Sequence, residues 1–263
     1  MERAKPQRTK TKLVPEANNG EFQELKRRLL ALEEVVDSLK GQLLRRGGPE
    51  RASDEEVAQV PLAATNRYIP STLDGWLLVI MSGSKTSFPS GLAVSMTSES
   101  GGREYGLVIE GIYSGSKFDV KSGNLVGTFE RTDGLEARFK RSSSPKIIDG
   151  VTYDYELTIT FSKNGAVQTV GPYPATTDSN NPVPLGAHEI EIADYPHDLG
   201  TSYGAYGTIW FRIGHSGDRY IHPGRVSAGC ITCAPKYWVD IYKALNVARL
   251  GDGRNVGRLK VAS

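Results

Sequence analysis

Four of the six cysteine and histidine side chains in this sequence fall within nineteen residues, in the run G-H-S-G-D-R-Y-I-H-P-G-R-V-S-A-G-C-I-T-C that carries His215, His222, Cys230 and Cys233. A thiol attacks a carbonyl only as the thiolate, so it needs a base or a cation nearby. A helix N-terminus just downstream helps further, and Cys230 has both a candidate base and such a helix. His222 ends a strand-like run eight residues earlier, and a helix is expected to begin at Pro235, five residues later. Gly229 permits a tight turn whose N–H groups can face a developing oxyanion. Ser227 either orients the loop or the imidazole by hydrogen bonding or is a plain turn serine. Arg225 is placed to meet a substrate carboxylate, with a solvated loop charge as the bland reading. His215, fifteen residues before Cys230, is the alternative base; its position in a Gly-His-Ser-Gly-Asp turn favours His222.

The same residues admit other chemistry. His215, His222, Cys230 and Cys233 form H-x6-H-x7-C-x2-C, four ligands of the right kind for tetrahedral zinc, although the spacing matches no familiar pair of knuckles. A thioredoxin-like reading of Cys230 and Cys233 needs a βαβ setting that this β-rich run does not offer. His188 lies in an alternating strand and His197 in a Tyr-Pro-His-Asp loop, so core or turn roles are expected for both. Trp210, Phe211 and Trp238 are expected in the core.

The elements that must position these residues are mainly β, with a smaller helical part. Tyr153, Tyr155, Leu157, Ile159 and Phe161 alternate with polar residues, and Asn164-Gly165 then turns the chain into Ala166 to Val170 as a type I′ hairpin. Strands are expected at Ala187 to Ile192, Thr208 to Ile213, Arg219 to His222 and Gly257 to Val261. One helix follows the cysteines, with Pro235 in its first turn, Trp238, Ile241, Tyr242 and Leu245 on one face, and Gly251 at its end. Upstream, Trp76 to Met81, Leu107 to Ile112 and Leu125 to Phe129 alternate with Gly/Ser punctuation. A β-rich domain of unassigned role is therefore expected over 73–148, ahead of a catalytic domain over 149–263. Ser-Gly-Ser-Lys occurs at both 82–85 and 114–117, as a duplicated hairpin or by chance.

The order of hairpin, Pro184-Leu185-Gly186 strand, strand ending in Ile221-His222, then Ser227, Gly229, Cys230 and Ile231, helix and last strand resembles the YkuD-like L,D-transpeptidase catalytic domain over about residues 150 to 263. Ala228 stands where that family has a histidine, Cys233 replaces a customary apolar residue, and the loop from His222 to Ser227 is shorter than the family's. The resemblance implies a β-sandwich and a cysteine acyltransferase. Cys230 would form a thioester with a peptidoglycan stem peptide, with His222 as base, and pass the acyl group to an amine. With water as acceptor the same site is a carboxypeptidase or hydrolase. No cofactor and no metal are implied. A fold kept for cell-wall binding or assembly without catalysis is a further alternative.

At 263 residues and a formal net charge of +2, the chain is long enough for one large or two modest domains and carries no basic stripe for nucleic acid. Five Lys/Arg against one Glu in the first twelve residues make 1–18 a basic, disordered lead by composition. Phe22, Leu25, Leu29, Leu32, Val36, Leu39 and Leu43 then repeat at heptad spacing. Asn18 with Glu21 at one end and Gly47-Gly48-Pro49 at the other bound a coiled-coil helix over 19–47, and 48–72 is expected to be a linker. The 22–43 seam suits a second copy or a docking partner. No run is long enough to span a membrane, and no signal-peptide pattern is visible. The resemblance puts the substrate at the cell wall or periplasm, so delivery by a phage-like particle or a secretion apparatus is the expected route.

Overall fold

The structure, a computed structural model, describes the backbone of residues 60–215 and 217–263 and the side chains of 65–215 and 217–263. The basic lead and the heptad helix expected over 19–47 lie outside the described residues. The described residues are mainly β. Their strands are β1 Val60–Tyr68, β2 Trp76–Met81, β3 Ser84–Pro89, β4 Ala93–Ser100, β5 Arg103–Val108, β6 Lys117–Lys121, β7 Thr132–Asp133 and β8 Leu135–Ile148. There follow β9 Val151–Lys163, β10 Ala166–Thr176, β11 Gly186–Glu191, β12 Phe211–Arg212, β13 Tyr220–Pro223, β14 Ile231–Cys233, β15 Ala248–Arg249 and β16 Asn255–Val261. The α-helix α1 spans Trp238–Val247.

Local chemistry sets the hairpins. Asn164 and Gly165 both take left-handed φ, 53° and 76°, and pair Lys163 with Ala166 as a type I′ turn requires. Asp149 and Gly150 do the same between β8 and β9, at 50° and 77°. The long β8, β9 and β10 are thereby fixed in one antiparallel meander. The first Ser-Gly-Ser-Lys phrase turns β2 into β3 with φ of 51° and 76° at Ser82 and Gly83. The second leads into β6 from a longer loop, so the two copies do not build the same hairpin.

Two sheets result. β1-β4-β5-β6-β2-β3 is antiparallel throughout, and β11-β16-β8-β9-β10-β14-β13-β12 is mixed. The larger sheet comes back on itself: Ile213 bridges Ile190, and the Gly214 N–H donates to the Glu189 carbonyl at 2.8 Å. The boundary expected between 148 and 149 therefore falls inside the β8–β9 hairpin, and β8 belongs to the sheet that carries the cysteines. Nor is 48–72 wholly a linker, since β1 pairs with β4; Pro61 is tolerated there because β1 is an edge strand. Of the run Leu125 to Phe129, only Val126 pairs, in a lone bridge to Tyr68.

One apolar core joins both sheets, with Phe88, Val94 and Phe118 from the smaller and Phe139, Leu157, Ile159 and Ile231 from the larger. Trp238, Ile241, Tyr242 and Leu245 are buried, as the 3.6-residue spacing predicts. The helix begins after a 3-10 turn at Pro235–Tyr237 and ends at Val247, short of the Gly251 expected to stop it, because the chain enters β15 at Ala248 to pair with β7. Beside this core lies a charged node. Glu110 accepts from Arg249 Nε at 3.1 Å, from Arg131 Nη1 and Nη2 at 3.0 and 2.6 Å, and from the Ala93 N–H at 2.8 Å. Burial alone would push the Glu110 carboxyl up, but the two guanidiniums outweigh it and hold its pKa below the ordinary 4.5.

Candidate active site

β13 and β14 are parallel, with Ile221 opposite Ile231, His222 opposite Thr232 and Pro223 opposite Cys233. Side chains alternate across a strand, so the register sorts the candidates by face. Ile221, Ile231 and Cys233 enter the main core. Tyr220, Cys230, His222 and Thr232 share the other face, where Trp210, Tyr220 and Cys230 form a second, small apolar cluster. Cys230 and His222 thus share one face at diagonal positions, Cys230 level with Tyr220 and His222 opposite Thr232, each less than a tenth exposed.

The chain joins these parallel strands through only the residues 224–230. Parallel neighbours normally need a crossover of a dozen or more residues, so a loop this short must be held at several points. The Tyr153 hydroxyl donates to the Gly224 carbonyl at 2.8 Å, and the Gly224 N–H donates to the Cys233 carbonyl at 3.0 Å. Ser227 Oγ donates to the Cys230 carbonyl at 2.9 Å and accepts the Gly229 N–H at 3.3 Å. Gly229 sits at φ 110°, and a Cβ there would lie 2.7 Å from Arg219 Nη1 and 2.9 Å from the Asn181 carbonyl. Ser227 and Gly229 therefore shape the turn that presents the cysteine.

The thiol and the imidazole are each engaged elsewhere. Cys230 Sγ accepts the Tyr220 N–H at 3.4 Å and donates to the Asp218 carbonyl at 3.6 Å. His222 Nδ1 lies 2.9 Å from the Pro223 carbonyl, which can only accept, so Nδ1 carries the proton and Nε2 is the acceptor. Thr232 Oγ1, 3.2 Å away, is the donor to Nε2. Burial pushes the Cys230 thiol up, against the Tyr220 N–H and the Arg219 charge, which favour the thiolate. Burial likewise lowers His222 to about 4, the Pro223 carbonyl opposing and His197 adding to the effect. At neutral pH the pair is thiol and neutral imidazole, with the unprotonated Nε2 on the face it shares with sulfur.

Above His222 lies an arrangement that sequence reasoning missed. The rings of Tyr195, His197, Trp210 and His222 stack in succession, with centroids 4.6, 4.3 and 4.2 Å apart. Asp194, almost fully buried, accepts from His197 Nε2 at 3.0 Å, from the Tyr195 N–H at 2.8 Å and from the Tyr220 hydroxyl at 3.1 Å. Trp210 is therefore not part of the main core, and His197 is an ordered ring of the site rather than a turn residue. Asp194 and Tyr195 are local to Tyr-Pro-His-Asp, but they do not announce the rest, because Trp210, Tyr220 and His222 come from the segment before β12 and from β13.

The remaining candidates separate. His215 Nδ1 bonds Glu191 at 2.5 Å and its Nε2 bonds Glu189, at the seam between β11 and β12. With both nitrogens on carboxylates its pKa is raised, Glu191 being the largest cause, and it has no lone pair for a thiol. His215 is thus not arranged as the base. The zinc alternative fails for the same reason and a second one: Cys233 faces the opposite side of β14 from Cys230 and is wholly buried. Among the described residues no group of three or more His, Cys, Asp or Glu is arranged to hold a metal ion. Burial drives the Cys233 thiol up strongly, as suits a small core hydrophobe. Arg225 is exposed and reaches Asp149 at 3.5 Å, a loose surface pair.

These features define a class: a β-rich protein with a thiol and a neutral imidazole on one face of a short parallel strand pair. No protein-family model matches the chain, and no curated protein or solved structure matches it either. Among the described residues no helix is long and apolar enough to cross a membrane.

Proposed function

We propose that this protein is a cysteine acyltransferase of the L,D-transpeptidase type, with Cys230 as nucleophile and His222 as general base. The observation that carries the reading is the β13–β14 register, which sets Tyr220, Cys230, His222 and Thr232 on one face with Nε2 of His222 unprotonated. A thiol and an unprotonated imidazole on one face are the groups that thiol activation requires.

Nε2 is held by one hydrogen bond, from Thr232 Oγ1, and that hydroxyl has a second acceptor in the Val226 carbonyl at 3.4 Å. Exchanging one neutral hydrogen bond for another costs about 1 kcal/mol or less, so Nε2 is readily released to the thiol. As sulfur attacks the carbonyl carbon of the peptide bond after the third stem residue, the thiol proton moves to Nε2. The Pro223 carbonyl stabilises the imidazolium at Nδ1. Collapse of the tetrahedral intermediate breaks the C–N bond, and the proton leaves with the amine of the terminal D-amino acid. The thioester is then opened by the side-chain amine of a neighbouring stem, whose proton is taken by Nε2 and returned to sulfur. Water in place of that amine gives a carboxypeptidase.

Arg225 in this account meets the anionic stem, its weak pair with Asp149 being easily exchanged. The L,D-transpeptidase-like sandwich, the 22–43 seam as a docking or self-association handle, and delivery to the cell wall by a particle or secretion apparatus belong to the same proposal. The test is release of the terminal D-amino acid from a tetrapeptide stem, followed by chromatography with and without an amine acceptor. Wild type should release it and Cys230→Ala should not. Equal release by both chains, or release by neither, sinks the reading.

A further inference from the structure

The segment that presents Cys230 is fixed by a side chain outside the Cys–His pair. Arg219 Nη1 donates to the Gly229 carbonyl and, at 3.1 Å, to the Asn181 carbonyl, while Nη2 donates to Asn181 Oδ1 at 2.7 Å. One guanidinium thus ties the turn before the nucleophile to the segment ahead of β11. Its own backbone is tied as well, since the Arg219 carbonyl accepts the Ile213 N–H at 2.8 Å. The next residue is Tyr220, whose N–H donates to Sγ. The close approach of the guanidinium is also what leaves no room for a Cβ at Gly229.

A planar trans peptide points its N–H opposite to its carbonyl. The Gly229–Cys230 bond is trans, so holding the Gly229 carbonyl on Arg219 aims the Cys230 N–H in the opposite direction. The backbone N–H of the nucleophile is a common donor to the oxyanion of an acyl-transfer intermediate, and such donors help the reaction in proportion to how firmly they are fixed beforehand. We propose that Arg219, anchored on Asn181, is a positioning residue that locks the Gly229–Cys230 peptide so that the Cys230 N–H serves as an oxyanion donor. This rests on Cys230 being an acylating nucleophile, and not on the identity of its substrate. Its charge has a lesser role: burial is the main influence on the thiol, with the Tyr220 N–H ahead of Arg219 among those favouring the thiolate and Asp218 opposing.

The experiment compares two reagents on the full-length protein, with folding checked by circular dichroism and the adduct read by mass. In p-nitrophenyl acetate the thiolate attacks the ester carbonyl, p-nitrophenolate leaves and a thioester forms, so an oxyanion must be stabilised. Iodoacetamide alkylates the thiolate: sulfur attacks its methylene carbon, iodide leaves, and no oxyanion forms. Arg219→Ala should slow acylation about 100-fold, the loss typical of one oxyanion donor, and slow alkylation by less than about tenfold. Asn181→Ala keeps the charge and loosens the clamp, so acylation should fall with alkylation unchanged. Arg219→Lys, which cannot span both partners, should restore alkylation but not acylation. Acylation and alkylation falling in equal ratio, or neither falling, in both Arg219→Ala and Asn181→Ala would overturn the proposal. Wild type acylated by the ester but inert toward a stem peptide leaves Arg219 in its role and removes the peptidoglycan reading. Wild type alkylated yet not acylated by the ester overturns both.

Discussion

Lowering the pH should weaken the fold through His222, by an amount the structure allows to be worked out. The imidazole stacks on Trp210, is almost wholly buried, and titrates at about 4 against an ordinary 6.5. Its folded pKa is depressed, so full stability is present above pH 6.5 and drains as the pH falls towards 4, where the unfolded chain binds a proton that the folded chain excludes. Integrating between those two values, the drop from pH 7 to pH 5 is about 2 kcal/mol. Urea denaturation of wild type and His222→Gln at both pH values isolates the effect, because the glutamine cannot titrate. Other groups titrate in both chains, among them His215 and Glu110, and cancel in the difference. Wild type should lose about 2 kcal/mol more than His222→Gln over this interval. Equal losses would mean that His222 is solvated enough to protonate in place, and the neutral-pair chemistry drawn above would go with it.

Glu110→Ala should cost about 3–5 kcal/mol in the same assay, since it strands the buried Arg249 beside Arg131 without their shared carboxylate. His215, raised by Glu191 and Glu189, acts in the opposite sense from His222: its contribution is complete below pH 6.5 and is lost as the pH rises through its folded value. Wild type should therefore lose stability relative to His215→Gln as the pH rises from 6.5. Gly229→Ala forces a Cβ against Arg219 at positive φ and should destabilise by about 1–3 kcal/mol, with a larger proportional loss of Cys230 acylation than of stability. A Cys233→Ala protein should melt a few degrees lower and keep a fully reactive Cys230, read by mass after labelling.

What the sequence disclosed is what local chemistry controls. Asn164-Gly165 with its flanking alternation predicted the β9–β10 hairpin correctly, and Trp238, Ile241, Tyr242 and Leu245 predicted the buried face of α1. Asp149-Gly150 carries the same type I′ signal and, weighed equally, would have joined β8 to β9 instead of dividing the chain there. The shared face of Cys230 and His222 follows from a parallel register, and no periodicity in either short strand specifies that register. Asp194, His197, Trp210 and Arg219 were invisible for a related reason. Apart from the Asp194–His197 bond, their roles come from contacts between segments 10 to 38 residues apart, such as Arg219 with Asn181. His215 was the alternative base because its separation from Cys230 is nearer that of the family the sequence resembles, and two glutamates on an alternating strand, Glu189 and Glu191, account for it instead.

If Cys230 forms an acyl-enzyme, intact mass after incubation with a carbapenem will reveal it. Wild type and Cys233→Ala should carry an adduct, and Cys230→Ala none. An unmodified mass for all three, or an adduct that survives in Cys230→Ala, would contradict acylation at Cys230.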